Sequence, residues 1–218
     1  MEILRIAKEK LPAFLFMIVP FNIGDWTPVQ INSHPMPIVT DENSAWKIVT
    51  KDGAGGYAYI FNDGESATQA SWDWKVTKFP KVEVKLPFLK QSDDFAVRIG
   101  FLIEGESASI SIPSQIEKLF KSKKKISNII FYQPIPRTDQ NREACGLSPY
   151  QKEILYCLKF AKGEFETKKA TPLEDLGKHI ALRSKNLKII GIWIFSDSDN
   201  SHSESEAYLK NLKMGEGI

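Results

Sequence analysis

The stretch from Ala70 to Glu104, ASWDWKVTKFPKVEVKLPFLKQSDDFAVRIGFLIE, constrains what this chain can fold into more than any other. Two segments with a two-residue period flank a polar connection that carries adjacent acids. On an extended backbone, successive side chains point to opposite faces. Trp72, Trp74 and Val76 therefore share one side, with Asp73 and Lys75 on the other. In the second segment Asp93, Asp94 and Phe95 lead into Val97, Ile99 and Phe101, with Arg98 facing the opposite way.

Strand patterns continue on both sides of this pair. Ala45–Lys51 alternates and runs into a glycine-rich turn at 52–56, and further strands are expected at 57–61, 68–77, 95–103, 127–133, 187–195 and 207–214. A weaker one falls at 107–112, and residues 62–64 read as another turn. Residues 153–160 and 164–169 read as a hairpin turning about Gly163. Helices are few. Ser114 and Glu117 have capping-box spacing and start a short helix before the lysine run at 121–125. Thr171, Pro172 and Glu174 open a second, expected to reach about Leu182. Many strands at short intervals, with one or two short helices, imply an all-β antiparallel sandwich of jelly-roll type.

At 218 residues, 42% hydrophobic and 26% charged, the chain can bury a substantial core, and residues 24–218 read as one domain. A net charge of +2 argues against a nucleic-acid partner. Residues 1–23 read as a signal peptide or N-terminal leader: a short cationic start precedes the apolar run LPAFLFMIVPF, which is too short and proline-broken for a membrane span. The competing reading is an amphipathic helix at 2–10 followed by a buried strand. Export implies a periplasmic or secreted protein. There Cys145 and Cys157 can close a disulfide over a short loop, contributing on the order of 3 kcal/mol. Alternatively, Cys157 is simply a buried apolar residue.

The series W-D-W at 72–74, D-D-F-A-V-R at 93–98 and I-F-S-D-S-D-N at 194–200 resembles an uncharacterised bacterial family, a domain of unknown function. That family's recurrent signatures are W-x-W, D-D-F-A-x-R and D-x-D-N, and the likeness covers most of the chain from Trp46 to Met214. The late apolar strand, acidic loop and final strand are also similar to galactose-binding-like jelly rolls, which often serve as carbohydrate-binding modules. The chain departs from the family at SNIIFY and at 134–151, which looks like an insertion. The resemblance implies a fold, and it brings no established activity with it.

Four side chains stand out as candidate ligand-binding residues: Trp72, Trp74, Asp94 and Arg98. An indole face packs well against the C–H surface of a sugar, although large aromatics in strands also fill cores. Trp193, apolar on both sides, reads as buried. Arg98, sharing a face with Asp94, either grips a ligand's carboxylate or hydroxyl through its planar fork or ties its strand to a loop. Asp197, Asp199 and Asn200 are dense in hard oxygen donors and suggest a structural calcium ion, or else a self-bonded polar turn. No catalytic residue is assigned. G-x-S-x-G, H-E-x-x-H and P-loop motifs are absent, and a glycosidase needs two carboxyl groups about 5 to 10 Å apart across a cleft. The expected function is a non-catalytic module of the bacterial envelope recognising a saccharide or glycan. The alternatives are a glycan hydrolase using Asp94 and Asp197, or an envelope protein-interaction component with no small ligand.

Overall fold

The computed structural model describes residues 16–61, 67–81, 88–90, 93–105, 110–119, 126–139, 141–180 and 186–215. Along them run β1 (Phe16–Ile18), β2 (Thr27–Gln30), β3 (Ile38–Glu42), β4 (Ala45–Lys51), β5 (Ala54–Ile60) and β6 (Gln69–Lys78). There follow β7 (Phe95–Glu104), α1 (Ser114–Leu119), β8 (Ile126–Pro136), β9 (Ala144–Leu147), β10 (Ile154–Ala161) and β11 (Glu166–Ala170). The chain closes with α2 (Pro172–His179), β12 (Lys188–Asp197) and β13 (Glu204–Gly215). The expected turn at 62–64, the lysine run, the helix at 2–10 and the start of the weak strand at 107–112 lie outside the described residues.

Burial on one face or on two decides which sheet a strand joins. The alternating strands β4, β6 and β13 form a six-stranded sheet of order β11-β6-β13-β4-β3, with β1 also paired to β13. Strands apolar on both sides, β7, β8 and β12, sit within a seven-stranded sheet of order β2-β5-β12-β7-β8-β10-β9. Every pairing is antiparallel except β8 with β10, which is parallel. This is the expected β-sandwich of jelly-roll type. Between the sheets lies one core, where Trp46, Trp72, Trp74, Ile99, Phe101, Tyr132 and Leu209 meet. A second apolar cluster covers the far face of the seven-stranded sheet, with Phe95, Phe131, Tyr156, Trp193 and Phe195 joined by Ile116 of α1.

Three expectations need correction. Residues 153–160 and 164–169 do not form a hairpin: β10 pairs with β8 and β9, whereas β11 pairs with β6 in the other sheet. The physical reason is polarity, because β10 is mostly buried while the Lys-rich β11 suits an edge. Residues 110–112 are not strand. Helix α2 ends at His179, and Thr171 makes no side-chain capping bond; Glu174 instead pairs with Lys178 at 2.8 Å. The segment 16–23 is woven into the sandwich, with β1 paired to β13. Its Val19 is buried, and Trp46 Nε1 donates to the Phe21 carbonyl at 2.7 Å.

Candidate functional site

Trp72 and Trp74 do not form an open platform. They are 1% and 0% exposed and lie edge-to-face at 5.6 Å, and Trp72 packs on Phe101 and Tyr132 of the opposite sheet. Neither indole N–H has a hydrogen-bond partner among the described residues, so both rings act as hydrocarbon filling. The alternation that placed them on one face was right; that face is the interior.

The polar residues gather instead at one end of the seven-stranded sheet, where β7 begins and β12 ends. Asp94, just ahead of β7, is 4% exposed and accepts the backbone N–H groups of Asn200 (3.2 Å) and Ser201 (2.7 Å). The D-D-F-A-V-R and D-S-D-N series, a hundred residues apart, thus meet through one carboxylate. Carboxylate oxygens of Asp94, Asp197 and Asp199 all come within 4.8 Å of one another. Asp94 thus joins Asp197 and Asp199 in the oxygen-rich cluster, and the backbone N–H of Asn200 binds Asp94. Local spacing could not reveal a ligand supplied by another strand. His34 Nε2 lies 3.2 Å from Asp199 at the rim of this cluster. Burial above all, then the charge of Asp199, raises Asp197 from the usual carboxylate range to about 8.

Arg98 lies beside this cluster on the far face of the sheet, with a side chain only 2% exposed. Its acid is Asp93 and not Asp94: Nη2 donates to Asp93 Oδ1 at 2.6 Å and Nε to Gln133 Oε1 at 2.7 Å. The guanidinium is stacked 3.5 Å from the centre of the Phe95 ring and 3.9 Å from that of Tyr156. Asp94 and Arg98 are four positions apart in sequence, but Asp94 turns toward the loop after β12 and leaves the arginine to Asp93.

Tyr150 was not singled out in the sequence. Its ring is half-exposed, with the Lys90 ammonium 5.1 Å from the ring centre. Its hydroxyl is pushed up, first by burial and then by the charge and hydrogen bonding of Asp93. The loop that holds it is closed by the Cys145–Cys157 disulfide, joining β9 to β10 at a directly opposed pair. Ser148 steadies the loop from within, accepting the Tyr150 N–H at 3.2 Å and donating to the Tyr156 hydroxyl at 3.1 Å. Only a proline-flanked tyrosine inside the apparent insertion signals this in the sequence. Tyr150, Asp93, Arg98 and the three aspartates therefore make one continuous polar site with an aromatic edge.

Among solved structures, the chain is similar to the xyloglucanase domain of NopAA, a type three effector from Sinorhizobium fredii, in complex with cellobiose. That likeness has 9% identity over 88% of this chain and 93% of that one, with a TM-score of 0.42. A family 12 xyloglucanase from Bacillus licheniformis is similar at 6% identity, covering 91% and 96%, with a TM-score of 0.46. Endoglucanase 3 of Trichoderma harzianum, from family GH12, is similar at 7% identity, covering 95% and 99%, with a TM-score of 0.41. No family model and no curated protein matches the sequence.

Proposed function

We propose that the protein is a non-catalytic binding module for a saccharide or glycan, and that the ligand meets it at the strand-end site. The observation that carries this reading is the setting of Tyr150, a half-exposed ring beside an Asp93 carboxylate held in place by Arg98. An aromatic face offers a stacking surface to the C–H side of a sugar, and an oriented carboxylate accepts its hydroxyls. Asp94, Asp197 and Asp199 offer the hard oxygen donors that suit a structural calcium ion next to that surface. The Cys145–Cys157 bridge supports placement in an oxidising compartment, periplasmic or secreted. In this reading the W-x-W, D-D-F-A-x-R and D-x-D-N series belong to one bacterial family in which the first builds the core and the other two build the site.

The test is a glycan-array screen of the full chain with and without calcium. Binding of one or more neutral glycans is expected. Failure to bind any glycan in either condition overturns the proposal.

One observation favours a hydrolase using Asp94 and Asp197 as the second reading: Asp197 holds its proton near neutral pH, as a general acid must. That reading predicts glycan turnover abolished by Asp197→Asn. Against it, Asp94 is buried and already engaged by two backbone N–H groups, and carboxylate oxygens of Asp94 and Asp197 come within 4.8 Å, closer than the about 5 to 10 Å of a glycosidase pair.

A further inference from the structure

The outer face of the six-stranded sheet carries a surplus of positive charge where β13, β6 and β11 lie side by side. Alternation fixes which side chains stand there. Leu209, Leu212 and Met214 of β13 and Trp74 and Val76 of β6 fill the core, so Lys210, Lys213 and Lys75 point outward. Lys169 of β11 lies opposite Ser71, one step along from Thr167, whose hydroxyl donates to Asp73 on this same face.

Other acids of the face already have cations. Lys47 pairs with Glu42 at 3.4 Å and with Glu206 at 3.5 Å, and Lys78 pairs with Glu204 at 3.0 Å. Beside Phe165, Lys162 and Lys168 take Glu164 and Glu166. Lys75, Lys169, Lys210 and Lys213 have no carboxylate within ion-pair distance among the described residues. Asp73 stands opposite Lys210, but Thr167 and Asn211 occupy its two oxygens at 2.6 Å each. Two of the four ammoniums rest on rings instead, Lys75 at 3.8 Å from the centre of Tyr208 and Lys210 at 4.0 Å from that of Phe165. A ring positions a cation without cancelling its charge.

Two apolar side chains flank these lysines. Phe165 is 37% exposed, and Ile18 of β1, directly opposite Lys213, is 70% exposed. An anionic lipid surface takes up both features, the ammoniums among its headgroups and the apolar tips just beneath them. A soluble polyanion would use the charges and gain nothing from Ile18.

We infer that this face is a docking surface for an anionic lipid bilayer, held by Lys75, Lys169, Lys210 and Lys213 with Ile18 and Phe165 at the interface. Glu204 opens β13 beside the acidic loop, and Lys213 lies nine residues further on, about 30 Å away. Docking therefore leaves the strand-end site clear of the membrane, and it does not depend on what that site binds.

Co-sedimentation of the full chain with lipid vesicles tests this. Binding is expected at low salt to vesicles of equal parts phosphatidylglycerol and phosphatidylcholine, and not to phosphatidylcholine alone. It is expected to be lost at about 1 M salt, where the screening length shrinks to about 3 Å. Each lysine at an anionic surface contributes about a fivefold factor, so Lys75→Gln with Lys210→Gln is expected to weaken binding about 25-fold. Lys169→Gln with Lys213→Gln is expected to do the same. These two side chains have no partner among the described residues to lose, so this pair keeps the test open if the first does not fold by circular dichroism. Ile18→Ser is expected to weaken binding several-fold, and Tyr150→Ala to leave it unchanged, which separates this face from the strand-end site. The inference is overturned by no binding to the anionic vesicles, by equal binding to phosphatidylcholine, by binding unchanged in a folded lysine pair, or by loss in Tyr150→Ala. Tighter binding of soluble polygalacturonate, with Ile18→Ser neutral on vesicles, overturns it too, because the face would then be a polyanion site.

Discussion

Side by side in the interior, the indoles of Trp72 and Trp74 fill space that no smaller residue on β6 could fill. Truncating a buried tryptophan removes its transfer free energy and leaves a cavity. Trp72→Ala is expected to cost about 3–5 kcal/mol in urea denaturation while the folded fraction binds glycan as before; loss of binding without loss of stability would return the ring to the site. Asp197 sets a different dependence. Its carboxyl titrates near about 8 in the folded protein, against about 3.9 in an unfolded chain. Between those values the native state keeps a proton that the unfolded state has released. The contribution of Asp197 to stability is therefore full below about pH 4, falls as pH rises toward 8 and is level above it. Asp197→Asn stays neutral throughout, so its melting temperature is expected to decline less between about pH 5 and pH 8 than that of the wild type.

Elements explain what could be read in advance and what could not. The bounds of β4 and the shared face of Trp72, Trp74 and Val76 on β6 followed from alternation alone, as did the turn of Arg98 away from Val97 and Ile99 on β7. Alternation records which side a residue faces and is silent on what covers that side. Hence Trp72 and Trp74 could be placed together while core and platform both stayed open, and burial decides for the core. The partner of Arg98, the third aspartate of the cluster and the exposure of Tyr150 all depend on chain segments far apart in sequence, and no local pattern carries them. Strands β1, β2, β3 and β9 are short and lie at or near sheet edges, where few side chains are buried to leave a periodic trace. Strand β9 in particular is held by its one neighbour and the disulfide. Replacing Cys145 and Cys157 by serine is expected to lower stability by about 2–3 kcal/mol in chemical denaturation. It should also speed amide exchange in the Tyr150 loop more than in β7 or β12.

At the scale of the whole molecule, the two sheets differ in kind. One is wetted on its outer face; the other is apolar on both and carries a charged arginine within its second layer. A buried charge is costly unless paired, and Asp93 and Gln133 supply that pairing at the edge where the acidic loop arrives. The same strand ends thus stabilise the arginine and present polar groups to solvent, which is why function is placed there. The most direct measurement is isothermal titration of the best array glycan into wild type and Tyr150→Ala under calcium. Loss of about tenfold or more in affinity with an unchanged melting temperature is the predicted result, the order expected for removing one stacking ring. Equal affinity in the two proteins would contradict the assignment of the site.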